Sequence, residues 1–129
     1  MNSNYKILLV EDDSFLRTLL FELLEGEGFQ CVQAEDGLAA RTILETQHFD
    51  LLITDFRMPR MDGSELLEWC RKSKIHFPVI FLTANTELLP KEKLSLEDCC
   101  AAVLQKPAGL DDILQAIRDA QVRNHNLMC

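Results

Sequence analysis

The chain has 129 residues, of which 47% are hydrophobic and 26% charged, the balance of one soluble domain that buries its own core rather than of a disordered chain. Thirteen basic residues stand against 21 acidic ones, a formal net charge of −8, and no Lys/Arg cluster supplies the basic face that duplex binding needs, so direct nucleic-acid contact is not expected. The apolar runs are only strand length and the first five residues lack a basic-then-apolar leader, so neither a membrane span nor export is expected and a cytoplasmic location is.

KILLV, Lys6–Val10, predicts a first strand, and Glu11, Asp12 and Asp13 follow it at once. Phe15, Leu16, Leu19, Leu20, Leu23 and Leu24 recur at helical steps until Gly26 and Gly28 stop the helix. Residues 29–34 predict a second strand, 38–46 a helix after Gly37, and 50–54 a third strand that gives way at Asp55 to Met-Pro and Asp-Gly. A helix over 64–73 is expected to start on Ser64 as its cap, and 78–83 is a fourth strand. A fourth helix is expected within 88–97, beginning at Pro90, since proline inside a helix loses a hydrogen bond. Residues 101–105 predict the fifth strand, and 110–122 a last helix with Leu110, Ile113, Leu114 and Ile117 on one face. Single-domain organisation is expected over 1–129, with a core of about 5–123 and a tail at 124–129.

Strands alternating with helices call for an α/β fold, a doubly wound five-stranded parallel sheet with helices on both faces. Its functional crevice lies beyond the carboxyl ends of the strands. The residues found there are Glu11, Asp12 and Asp13 after the first strand, Asp55 after the third, Thr83 at the end of the fourth and Lys106 after the fifth. Two unit charges about 4 Å apart repel by roughly 4 kcal/mol at an effective dielectric near 20, so Glu11, Asp12 and Asp55 together need a cation. Oxygen-only donors select a hard ion, and magnesium suits so few carboxylates better than calcium does. The cysteines, Cys31, Cys70, Cys99, Cys100 and Cys129, are odd in number and lack C-x-x-C spacing, so plain reduced thiols are expected. His48, His76 and His125 fall outside the crevice.

LLVEDD, ITDFRMPRMDG, LTA and QKP, in this order on a βα alternation, resemble the motifs of the receiver domain of two-component response regulators, over about residues 5–123. The resemblance implies a flavodoxin-like sheet of order 2-1-3-4-5 and a phosphorelay role in which the protein is a phosphoacceptor, not a free-standing enzyme. It makes Asp55 the phosphoacceptor, Asp12 a direct ligand of Mg2+ (Mn2+ in its place), Glu11 a ligand through water, and the backbone carbonyl of Arg57 a further ligand. It makes Thr83 the switch hydroxyl and Lys106 the partner of phosphate or carboxylate, with a cis peptide before Pro107. Asp13 is expected to cap a helix instead, and Met58, Pro59, Asp62 and Gly63 to shape the loop.

The partners implied are a sensor histidine kinase or phosphotransfer protein as donor, a downstream protein target, and a homodimer through the face of the fourth helix, fifth strand and fifth helix. Val103, Ala108 and Gly109 stand where the family often carries aromatic residues, so switching is expected to use backbone and helix movement, with the Arg57 side chain over the phosphoryl group. A haloacid-dehalogenase-type phosphatase would need an acid at Arg57, and a flavodoxin-like flavin carrier a phosphate loop where EDDS stands. A pseudo-receiver, acting as a phosphorylation-independent interaction module, is the alternative reading.

Overall fold

A computed structural model describes residues 4–58, 60–84 and 100–127. The elements are β1 (Lys6–Val10), α1 (Ser14–Gly26), β2 (Gln30–Ala34), α2 (Gly37–Leu44), β3 (Leu51–Asp55), α3 (Gly63–Lys72), β4 (Val79–Thr83), β5 (Cys100–Gln105) and α4 (Leu110–Leu127). The helix expected within 88–97, and Pro90 with it, lies outside the described residues, as does Pro59.

All strands pair in parallel in the order β2-β1-β3-β4-β5, the order that the resemblance implies. The near-continuous apolar runs of β1, β3 and β4 are those of strands buried on both faces. Alternate residues serve two cores. Leu8, Val10, Leu52 and Phe81 face α2 and α3 through Ala40, Leu44, Leu66 and Cys70. Ile7, Leu9, Ile53 and Leu82 face α1 and α4 through Leu20, Leu24, Ile113 and Ile117. Crossovers on opposite faces of β1 leave a crevice between β1 and β3, where the strand order reverses.

Several boundaries shift by one or two residues, and two differences have a local physical cause. The cap of α3 is Asp62 rather than Ser64: its carboxylate accepts from Glu65 N at 2.9 Å while Glu65 Oε1 accepts from Asp62 N at 3.2 Å. This reciprocal capping box satisfies two orphan amides, which a serine one residue inside the helix cannot do. The last helix continues to Leu127, into the segment expected as a tail, since no glycine or proline between residues 121 and 127 interrupts it. Among the described residues no helix is long and apolar enough to cross a membrane. Cys31 and Cys70 are buried free thiols, and burial pushes both up to about 12.

Candidate functional site

The carboxyl ends of β1, β3, β4 and β5 share one edge, and backbone pairing continues one residue past the strands. Glu11 N donates to Ala34 O at 3.1 Å, Phe56 N to Leu82 O at 2.9 Å and Lys106 N to Thr83 O at 2.7 Å. These bonds fix where the chain leaves the sheet, and so where the side chains at the edge point. Glu11 is fully buried, Asp55 is 7% exposed and Thr83 5%. Asp55 closes β3 and pairs in register with Leu82, one residue before Thr83.

Lys106 reaches across this edge. Its Nζ donates to Glu11 Oε1 at 2.6 Å and to Asp55 Oδ2 at 2.9 Å. The other Glu11 oxygen accepts from Asp13 N at 3.1 Å, and Arg17 Nη1 donates to the Glu11 carbonyl at 2.7 Å. Asp12 is exposed, yet one oxygen each from Glu11, Asp12 and Asp55 lies within 4.8 Å of the others.

Burial, with a smaller push from neighbouring Asp12 and Asp55, outweighs the pull of Lys106 and the Asp13 amide and leaves the Glu11 carboxyl raised to about 7. For Lys106, burial disfavours the charge, but its bonds to Glu11 and Asp55 outweigh that and hold its pKa above the ordinary lysine value. Three carboxylates against one ammonium leave two negative charges when all are ionised, and the donors are all oxygen. Such a cluster fits a hard divalent cation.

The loop after Asp55 is tightly folded. Gly63 N donates to Phe56 O at 2.8 Å, and a Cβ on Gly63 would lie 2.8 Å from the Asp55 carbonyl oxygen and 2.9 Å from the Phe81 ring. Only a residue without a side chain lets α3 start this close to the end of β3. Thr54 Oγ1 donates to the Asp55 carbonyl at 2.9 Å. The Arg57 side chain is exposed, as are His48 and His76.

Asp13 caps α1, its Oδ1 accepting from Phe15 N and Leu16 N at 3.0 and 3.1 Å, as expected. Val103 is half-buried against the core that holds Phe81, and the Lys106–Pro107 peptide is cis. One buried charge was not anticipated. Asp36, 2% exposed, caps α2 through Ala39 N at 2.8 Å and pairs with the Arg60 guanidinium. An Asp directly before Gly37 is the signal that could have found the cap, but nothing in the pattern points to a partner 24 residues on.

The family model of the response regulator receiver domain matches residues 7–118. The "Sensor histidine kinase RcsC" of Escherichia coli (strain K12) is 37% identical over 116 residues, 90% of this chain but 12% of that protein. A response regulator receiver domain protein from Clostridium thermocellum is 30% identical, with a TM-score of 0.82 over 95% of this chain and 98% of that one. A response regulator protein from Thermotoga maritima, solved in complex with Mg(2+)-BeF, is 28% identical, with a TM-score of 0.79 over 90% of this chain and 98% of that one. Transfer of a phosphoryl group to an aspartate is general among such receivers. With a match that runs from within β1 to within α4, over a sheet that superposes on solved receivers, the chain belongs to the response regulator receiver domain family.

Proposed function

We propose that this domain takes a phosphoryl group onto Asp55, from a phosphohistidine of a sensor histidine kinase or phosphotransfer protein, and so changes the surface it offers a downstream protein. The observation that carries the reading is the single Lys106 ammonium shared by Glu11 and Asp55 at the strand-order reversal. An Asp55 carboxylate oxygen attacks phosphorus, the bond from phosphorus to the donor nitrogen breaks, and that nitrogen keeps the electron pair, leaving an acyl phosphate. Lys106, whose ammonium donates to Asp55, is the group that would offset charge on the transferred oxygens. The Thr83 hydroxyl, at the end of β4, is the group that would donate to them and pull on the segment after β4.

Glu11, Asp12 and Asp55, with the Arg57 carbonyl, are the residues that would hold Mg2+, or Mn2+ in its place. When bound, the ion supplies positive charge to the phosphoryl oxygens. The all-oxygen donor set and its excess negative charge support that choice, and the Thermotoga maritima relative was solved with Mg(2+)-BeF.

Intact mass spectrometry after treatment with acetyl phosphate, with and without Mg2+, tests the reading. One phosphoryl group should appear on the parent, only with the metal, and none on Asp55→Asn. Modification of Asp55→Asn overturns the acceptor assignment. An unmodified parent would instead favour the phosphorylation-independent interaction module.

A further inference from the structure

Among the described residues two besides glycine have a positive φ, Lys74 at 59° and Arg60 at 70°. Lys74 follows Ser73, the C-cap of α3, and donates its amide to Arg71 O at 3.1 Å. A left-handed residue there is an ordinary way to stop a helix. Arg60 stops no helix. It stands in the loop between β3 and α3, where a non-glycine residue in the left-handed region needs support from its surroundings.

That support comes from the β2–α2 junction. The Arg60 guanidinium pairs with Asp36, whose side chain is almost fully buried, and lies 3.6 Å from Glu35. Arg60 and Glu35 are 60% and 65% exposed, so their contact is screened and adds little. Beside the pair, a Cβ on Gly37 would lie 2.8 Å from Met61 Cβ, so the start of α2 rests directly on the loop. Met58 and Met61 in turn pack on the core of Phe56 and Phe81. The anchorage leads back to the acids, because Ala34, two residues before Asp36, accepts the Glu11 amide.

We propose that Asp36 and Arg60 are positioning residues: their ion pair, with Gly37 seated on Met61, holds the β3–α3 loop in place relative to the β1 acids and thereby sets the divalent-cation affinity of the site. This rests on the reading of that site as a Mg2+ site whose loop carbonyl, at Arg57, lies three residues before Arg60. Neither residue touches the ion in that reading. They act through the loop, as supporting groups around metal ligands do, and losing such a group weakens metal binding by about tenfold or more.

Two variants separate position from folding. Arg60→Gly removes the guanidinium while glycine accepts the left-handed backbone. Asp36→Asn keeps an oxygen to cap α2 while removing the charge. Mg2+ affinity of the full chain by calorimetry, amide hydrogen exchange at Met61, Asp62 and Gly63 without metal, and the thermal midpoint are the readouts. Each variant should bind Mg2+ about tenfold more weakly and exchange those amides faster, with Arg60→Lys retaining most of the affinity. The double variant should be no weaker than either single one, because the two changes remove one interaction.

Parent-like exchange in both single variants overturns the clamp whatever the metal does. So does a lowered thermal midpoint with parent-like Mg2+ affinity, the signature of a merely structural pair. A parent that takes up no Mg2+ overturns the metal reading and the affinity role together, while faster exchange would still locate the loop's anchorage. Phosphorylation of Asp55→Asn would overturn the acceptor reading alone.

Discussion

Glu11 and Asp36 are both buried carboxylates just beyond the end of a parallel strand, and each lies against a cation from a distant part of the chain. Their surroundings differ in charge balance. Asp36 meets the Arg60 guanidinium and also accepts an amide at the start of α2, where the helix favours negative charge. Glu11 shares Lys106 with Asp55, and Asp12 stands close by. One cation per buried acid holds loops together, whereas three acids around one cation leave a charge deficit that a further cation relieves. Burial alone therefore does not mark a candidate phosphoacceptor. The local excess of negative charge does.

The largest change should follow removal of the cation from the unbalanced cluster. Lys106→Met leaves Glu11 and Asp55 buried without their counter-charge, a loss of about 3 kcal/mol in the metal-free protein. Phosphoryl transfer to Asp55 should fall at least about 100-fold, because a positioned charge at the transferred group is gone. Mg2+ should bind more tightly, since more negative charge awaits it. Denaturant unfolding, single-turnover phosphorylation and calorimetry read the three effects. A variant with the parent's transfer rate would remove the distinction between the two pairings.

Next in size is a pH effect on the metal. The folded Glu11 carboxyl is raised from 4.5 to about 7, so it holds its proton more tightly than in the unfolded chain. The stabilisation this gives is complete below the unfolded value and is lost as pH rises through about 7, so over that window the metal-free fold weakens. Metal binding runs the other way, because the ligand must ionise, and Mg2+ affinity should rise about tenfold from about pH 6 to about pH 8. An affinity that is flat across this range would mean that Glu11 plays no part in holding the ion.

Each pairing also has a glycine seat. Gly63→Ala would set a Cβ 2.8 Å from the Asp55 carbonyl and 3.2 Å from Phe56 Cα, and Gly37→Ala would press one on Met61. Overpacking of this kind costs about 1–3 kcal/mol, visible as a lower thermal midpoint in both variants. At saturating Mg2+ only the first should also slow phosphoryl transfer, since it displaces the backbone of Asp55 itself, whereas the second should slow it only at low Mg2+, through weaker metal binding.

The sequence made the cluster legible because parallel strands bury continuous apolar runs, so the polar residues that close or directly follow each run fall on the carboxyl edge of the sheet. Glu11, Asp55, Thr83 and Lys106 were found in that way, and the structure brings Glu11, Asp55 and Lys106 into hydrogen-bond contact. The Asp36–Arg60 pair was not legible, because it joins two loops whose proximity depends on the completed sheet. The cap of α3 was misassigned within a stretch where Asp62 and Ser64 are both good caps. Glu65, three residues after Asp62, was the deciding signal. The extension of α4 to Leu127 was missed because a polar stretch without a stop signal resembles a tail as much as a helix.

The smallest expected effect separates two neighbouring acids. Asp12 contributes an oxygen to the cluster, while the Asp13 carboxylate is turned to the amides of Phe15 and Leu16. Asp13→Ala should therefore cost about 1 kcal/mol of stability, the worth of an N-cap. Its effect on Mg2+ should be slight, because the bond from residue 13 to Glu11 Oε2 comes from the backbone amide and survives the substitution. Asp12→Ala should do the reverse, with little change in unfolding and weaker metal binding. If Asp13→Ala weakened Mg2+ as much as Asp12→Ala, the charge of the whole acidic run would be what attracts the ion, and the geometry at Glu11, Asp12 and Asp55 would lose its privileged role.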